Sequence, residues 1–416
     1  MKVLVVGSGG RCHAIIDALK RSTESVEVFA APGNDGMRPM AELVPIPVTE
    51  VEQLRDFAKE NRIDLTIVGP EAALEKGIVN VFQEAGLKIF GPTKEAARIE
   101  TSKSFAKELM QKYGIPTAAF KTFTDYQDAA CYVESLGRLP VVIKYDGLAA
   151  GKGVVIAETL EQAKKTLYDM LVKDVFGKAS VVIEEYLEGV EFSFMCFVDR
   201  ENVYPMVLAQ DHKRAFDGDE GPNTGGMGAY SGVPVISQED ADEALERIMK
   251  PVAKALVEEG VPFQGVLYGG LIKTADGVKV IEFNARFGDP EAEVVIPRLK
   301  TDLLEVILNV VEGRKVETQW SDAYTVGIVL ASKGYPGRYE TGHPIRGLDR
   351  VEGLVYHMGT KFDGKEYLTN GGRVLIVVGR GKTLREAQKK ALADCEKIQC
   401  DNLYYRRDIG FRSLSD

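Results

Sequence analysis

The sequence predicts a multidomain protein of the α/β and α+β classes, opened by a parallel-sheet domain and closed by a small α+β domain. Three observations carry that expectation. Residues 1–101 alternate short apolar runs ("KVLVV", "VEVFA", "DLTIVG", "LKIFG") with helical stretches such as "VEQLRDFAKENR", and such a βαβ series calls for a parallel sheet. The pattern then changes character near residues 101, 188 and 320. Finally, 416 residues exceed what a single hydrophobic core ordinarily serves.

The elements follow in order. In 102–188, "SKSFAKELMQKYGI" reads as an amphipathic helix, and from about 120 the runs "AAFKTF", "LPVVIKY" and "ASVVIEEYL" with a helix near "YQDAACYVESLG" form a small α+β unit. Residues 189–320 hold "EFSFMCFVD", one long helix "EDADEALERIMKPVAKALVEEG", paired strands "GVLYGGLIKT" and "VKVIEFNA", and the helix "TDLLEVILNVVEG". The last unit, 323–416, has strands "YTVGIVLAS" and "RVLIVVG" and a closing helix "TLREAQKKALADCEKI". Between "VYPMVLAQ" and the long helix lies "DHKRAFDGDEGPNTGGMGAY", residues 211–230, without one Val, Leu or Ile. So long a segment without its own core residues is either functional or disordered, and its charged start and glycine cluster favour a loop ordered by what it binds.

Composition bounds the function. A chain that is 45% hydrophobic and 27% charged reads as a folded, soluble protein. Its net charge of -10 argues against a nucleic-acid surface, which needs clustered Lys and Arg. No apolar run approaches the roughly 18 residues of a membrane span, and "GSGGR" ends the opening apolar run before a signal peptide is complete. The expectation is a cytoplasmic protein with no membrane partner, acting as a monomer, with a weak dimer as the alternative. The five cysteines and four histidines have neither zinc spacing nor a disulfide framework.

Four constellations point to chemistry. "GSGGRCH" follows a strand and opens a helix, so Gly9, Gly10 and Arg11 offer a seat for a phosphate or polar substrate. It is not a dinucleotide fingerprint, because Cys12 stands where the third glycine belongs and no acid ends the second strand. "KYDGLAAGKGVVIA" is a strand, a glycine-rich turn through Gly147, Gly151 and Gly153, and a return strand; its amides can lie over triphosphate oxygens with Lys144 as a fixed cation. "VVIEEYLEGVEFSF" carries Glu184 through Tyr186 and Leu187 to Glu191, backbone for a base edge and a carboxylate for ribose hydroxyls. In "VIEFNARFGDPE", Glu282 and Asn284 are two apart in a strand and share a face. Two oxygens suffice for Mg²⁺, which fills its octahedron with phosphate and water. Arg286 continues that face, placed to grip a phosphoryl or carboxylate oxygen with two hydrogen bonds.

Together with "APGN", "VGPEAAL", "GPTKEAARIETSKSFAKELM", "LASKGYPG" and "GGRVL", these residues resemble the ATP-grasp superfamily and, within it, the glycinamide ribonucleotide synthetase family, over essentially the whole chain. The resemblance implies a pre-ATP-grasp N-terminal domain (1–101), an ATP-grasp unit whose first part, 102–188, includes a lid (about 120–188), a central catalytic domain (189–320) and a C-terminal domain packed on the first. It implies ATP as co-substrate with Lys103, Lys144, Gly151, Glu184, Tyr186, Leu187 and Glu191 at its site, and Mg²⁺ or Mn²⁺ on Glu282 and Asn284. It also implies glycine and 5-phosphoribosylamine as substrates. The catalytic side chains would be Lys144, Arg286, Asp211 and Lys213, with Gly9, Gly10, Arg11, Asn223, Gly225, Gly226 and Asp289 binding substrate. Cys12 departs from the family's usual Glu. Another ATP-grasp carboxylate–amine ligase of purine metabolism, or a non-catalytic nucleotide sensor, is the alternative.

Overall fold

The structure, a computed structural model, describes residues 1–149 and 153–414. Its N-terminal sheet is parallel throughout, in the order Glu42–Leu43, Glu27–Pro32, Lys2–Gly7, Leu65–Val68, Ile89–Phe90. Helices cover both faces of the central strand, so Val3, Leu4, Val5 and Val6 are all buried, as a run of consecutive apolar residues in a parallel sheet requires. The chain turns to opposite sides of this strand, and at its carboxyl end the turn after Gly7 leads into helix Gly10–Lys20. Ligands of open α/β sheets gather at such switch points.

The lid is a four-stranded antiparallel sheet, Phe120–Phe123, Val181–Glu185, Val141–Tyr145, Val154–Ala157. Helices Tyr126–Leu136 and Leu160–Leu171, capped by the side chains of Asp125 and Thr159, close a core of its own around Val133, Val141, Ile143, Leu167 and Ile183.

The remaining large sheet departs from the expected division at 320. Among the described residues eight of its ten strands run from Gly277–Asn284 through Gln264–Thr274, Val190–Asp199, Ala209–Asp211 and Gly228–Ser231 into Tyr324–Ser332, Arg373–Gly381 and Leu354–His357, while Asn202–Pro205 and Leu403–Tyr404 pair with Val190–Asp199 and Tyr324–Ser332 off this path. Gly228–Ser231 pairs antiparallel with Tyr324–Ser332, so backbone hydrogen bonds carry one sheet across both units. The C-terminal unit also reaches the first: His357 N donates to His13 Nδ1 at 2.8 Å and Tyr356 Oη to Asp17 at 3.2 Å.

The long helix expected at 239–260 is interrupted. It runs as Gln238–Ala244, a wider π turn Leu245–Met249, and Lys250–Glu258. Pro251 has no N–H and its ring crowds the preceding turn, and a single π turn absorbs both without ending the helix.

Residues 211–230 also differ from the expectation of a segment ordered by ligands. Arg214–Phe216 and Glu220–Asn223 form a small antiparallel pair around a turn at Asp217–Asp219. The pair is pinned from the C-terminus. Arg406, fully buried, reaches Asp219 at 2.9 Å, Asp408 at 2.8 Å and the carbonyl of Arg214 at 3.1 Å. Asp408 accepts from Gly218 N, Arg412 pairs with Asp219, and Gly410 N donates to the buried His212 Nε2. Charge takes the place of apolar side chains here. Among the described residues no helix is long and apolar enough to cross a membrane.

Candidate active site

A cleft opens where the lid faces the edge strand Gly277–Asn284 of the large sheet. Helix Lys103–Lys112, started by the Ser102 side chain accepting from Phe105 N, supplies Lys103 and Lys107 one turn apart on one face. The lid supplies Lys144, Gly147, Gly153 and Glu184, and the edge strand supplies Glu282 and Asn284. Asp146 ties the lid turn to the helix start, accepting from Ser104 Oγ at 2.5 Å and from Ser180 Oγ at 2.8 Å.

Two cations share one acid in the cleft wall. Glu184 lies 3.0 Å from Lys144 Nζ and 2.9 Å from Lys107 Nζ, all three side chains almost wholly buried. Lys144 also donates to the carbonyl of Ile281 at 2.9 Å, and Lys103 to that of Gly147 at 3.0 Å. Burial pulls Lys107 down to about 8, against the attraction of Glu184. Both oxygens of Glu184 therefore face ammonium groups of the protein. Lys107 went unremarked in the sequence, although its i+4 spacing from Lys103 was a usable signal.

Glu282 stays ionised. Burial favours its neutral form, but Lys213, Lys144, Lys103 and Arg286 together hold its carboxyl below the usual range. Among the described residues neither the Glu282 nor the Asn284 side chain has a protein hydrogen-bond partner, and both side chains line the cleft. An ionised carboxylate beside an amide oxygen, neither committed elsewhere, fits a hard divalent cation. No cluster of three or more His, Cys, Asp or Glu forms a metal site among the described residues, so phosphate and water would complete the shell.

Lys213 pairs with Glu191 at 3.4 Å on the exposed rim. Asp211 is its strongest electrostatic partner and keeps Lys213 firmly protonated; burial, against Lys213, raises the Asp211 carboxyl. Glu291, buried nearby, accepts from Tyr268 Oη at 2.8 Å and Ser193 Oγ at 3.1 Å; it is a further acid that the sequence reading missed.

Arg286 is in the cleft but not with a free fork. Its Nε donates to Glu71 at 3.1 Å and its Nη2 meets Glu100 at 2.8 Å, so the two-bond grip expected on a ligand oxygen is occupied by protein carboxylates. Glu71, partly buried yet held down at about 2 by Arg286 and Arg11, links this network to the N-terminal loop. There Arg11 Nη1 donates to the carbonyl of Phe287 at 2.7 Å and Arg11 N to Asp289 at 3.2 Å. Asp289 is thus engaged by protein on both sides, since Arg373 Nη2 lies 3.0 Å from its other oxygen.

The remaining expected residues lie apart from the cleft lining. Tyr186 is exposed and Leu187 half-buried, in the connector between the lid and strand Val190–Asp199. Asn223 is exposed at the end of the small hairpin. Gly225 and Gly226 sit under Arg373, which donates to their carbonyls at 3.0 and 3.4 Å. A Cβ at Gly226, with φ of +117°, would meet Pro290 at 2.5 Å, so the close approach this glycine allows is to the protein itself. Cys12 turns its sulfur inward toward Gly7, Gly69 and the carbonyl of Val6. Gly151 lies outside the described residues.

Against this geometry the comparisons are consistent along the whole chain. Family models described as the N, ATP-grasp (A) and C domains of phosphoribosylglycinamide synthetase match residues 1–100, 101–292 and 325–412. The phosphoribosylamine–glycine ligase of Halalkalibacterium halodurans is 54% identical, covering 100% of this chain and 98% of its own. That of Streptococcus pneumoniae is 50% identical with 100% of each covered. The crystal structure of the Thermotoga maritima phosphoribosylamine–glycine ligase superposes with a TM-score of 0.88 at 34% identity, over 98% of this chain and 100% of that one. A biotin carboxylase from Campylobacter jejuni, at 14% identity and a TM-score of 0.76 over 100% of this chain and 95% of that one, shares the fold. The chain belongs to the phosphoribosylglycinamide synthetase family of ATP-grasp ligases.

Proposed function

We propose that this chain joins glycine to 5-phosphoribosylamine with ATP, giving glycinamide ribonucleotide, ADP and phosphate through a glycyl phosphate. The observation that carries this reading is the cleft itself: Lys103 and Lys144 in the wall over an uncommitted Glu282–Asn284 pair, with the names of the full-length relatives. A glycine carboxylate is a poor electrophile, being anionic and lacking a leaving group. Its oxygen attacks the γ-phosphorus, ADP leaves, and the amine nitrogen of phosphoribosylamine then adds to the carbonyl carbon. Phosphate departs with the C–O bonding pair, and the nitrogen loses a proton.

Lys144 is the residue best suited to the phosphoryl transfer. Its ammonium is fixed by Glu184 and the Ile281 carbonyl, so no reorganisation is needed as charge shifts on the γ-phosphoryl. Glu282 and Asn284 would hold Mg²⁺ or Mn²⁺, which when bound neutralises phosphoryl charge. In this reading Asp211 orients the glycine ammonium and Lys213 is a polar contact to the substrates. The lid hairpin over the cleft serves to exclude water, which would otherwise hydrolyse the acyl phosphate. The acting form is a cytoplasmic monomer in this reading. The purified protein should release ADP only when glycine and phosphoribosylamine are both supplied; ADP release indifferent to glycine, or appearing with formate or bicarbonate in its place, would assign the cleft to another ligase.

A further inference from the structure

Beneath the loop Gly9–Arg11 lie two carboxyls, Asp289 and Glu293, and only one has counter-ions. Asp289 has Arg373 Nη2 at 3.0 Å on one oxygen and Arg11 N at 3.2 Å on the other. Glu293 is fully buried and, among the described residues, no other residue donates to either of its oxygens. Backbone presses on it directly: a Cβ on Gly10 would come within 2.3 Å of Glu293 Oε1. An ionised carboxylate in such a place, without a donor, is among the costliest arrangements a protein can hold.

The neighbouring carboxyl removes the difficulty. Asp289 and Glu293 meet adjacent glycines of the same loop, since a Cβ on Gly9 would lie 3.3 Å from Asp289 Oδ2 and one on Gly10 would touch Glu293 Oε1, and two carboxyls that share a site ionise one at a time. We propose that Glu293 is a neutral carboxylic acid whose proton is donated to Asp289, and that this bond fixes Asp289 between Arg11 and Arg373. Glu293 is then a positioning residue. It locks a side chain that joins the N-terminal loop to the C-terminal unit and, through Arg373, to the carbonyls of Gly225 and Gly226.

The surrounding charges agree on which carboxyl keeps the proton. Burial and then the Asp289 charge push Glu293 well above the carboxylate range, against Arg373, its own backbone N–H and Arg11. Asp289, despite its own burial, is held low by Arg373 and Arg11. The other titratable groups facing Glu293 are Cys12 and Tyr356. Burial lifts the Cys12 thiol to about 12 and the Tyr356 phenol well above its ordinary range, so neither changes charge near neutral pH.

The proton itself is independent of the ligase reading; only the loop's part in holding phosphoribosylamine rests on it. The test compares wild type, Glu293→Gln and Glu293→Leu. Glutamine keeps a neutral donor in place, so it removes the titration and leaves the bond. A carboxyl with a raised native pKa contributes stability that is lost as pH rises, because the unfolded chain releases the proton that the native chain keeps. From about pH 5 upward the melting temperature of wild type should therefore fall steadily behind that of Glu293→Gln. The wild-type minus Gln infrared difference spectrum at neutral pH should show a protonated-carboxyl carbonyl band. Parallel melting curves with no such band would overturn the shared proton. In turnover, Glu293→Gln should keep kcat/KM for phosphoribosylamine within about twofold. Glu293→Leu, where it folds, should lose roughly tenfold or more with ATP affinity unchanged, the scale of leaving one buried polar group unsatisfied. Full kcat/KM in the folded leucine variant would reject the positioning role, as would a loss of the same size in Glu293→Gln.

Discussion

Glu282→Ala is expected to lower turnover by roughly 10²–10³-fold, the scale of deleting one transition-state stabiliser. Glu282 faces Lys213, Lys144, Lys103 and Arg286 and is ionised because of them. Its side chain has no hydrogen-bond partner among the described residues, so its carboxylate is maintained by cations yet structurally unspent. A side chain kept charged without a protein partner in a cleft wall is one whose partner arrives with the substrate. The variant should still fold, with a modest loss of stability from four cations missing one counter-charge. Steady-state ADP formation at saturating Mg²⁺ is the measurement, and near-normal turnover would reject Glu282 as the cation's seat.

Arg406→Ala is expected to cost about 2 kcal/mol and to open residues 211–230 to protease. Breaking a buried pair by removing one partner costs roughly 3–5 kcal/mol when the remaining charge is fully buried. Here Asp219 and Asp408 keep 29% and 21% of their side-chain surface exposed, so water takes up part of the loss. The effect has a pH signature. Burial opposes ionisation of Asp408, but hydrogen bonds from Arg406 and Gly218 hold it down at about 2. A depressed carboxyl contributes stability that is present above its unfolded pKa, near 4, and is lost as pH falls through the native one. The gap between wild type and variant should therefore be full at neutral pH and close between about pH 4 and pH 2. A gap that persists to pH 2 would mean that packing of the Arg406 stem, rather than its charge, holds the segment.

That segment also marks where the sequence stopped being legible. Its lack of Val, Leu and Ile was plain, and a loop ordered by ligands was a fair expectation, but Arg406 and Arg412 lie nearly two hundred residues away in sequence. Nothing local says that a distant arginine will stand in for a hydrophobic core. The parallel first sheet was readable because its strands are continuous apolar runs joined by amphipathic helices. The pairing of Glu282 with Asn284 was readable because a strand's period of two puts them on one face. Side-chain identity gave less guidance on partners. Arg286 stands where a ligand-gripping arginine was expected, yet its fork meets Glu71 and Glu100, acids contributed by helices of the N-terminal part. Glu184 likewise reads as an exposed strand-end acid until Lys107 and Lys144 close on it. The continuity of the large sheet past residue 320 was hidden for a related reason: strand pairing between Gly228–Ser231 and Tyr324–Ser332 spans a separation that local pattern does not encode.

The central claim is that this cleft activates a carboxylate by phosphorylation. Glycine labelled with oxygen-18 in its carboxyl group, converted to product with ATP and phosphoribosylamine, tests it most directly. The account predicts one labelled oxygen in each inorganic phosphate released, carried over in the C–O bond that breaks when the amine displaces phosphate. Phosphate that emerges unlabelled from completed turnover would contradict it.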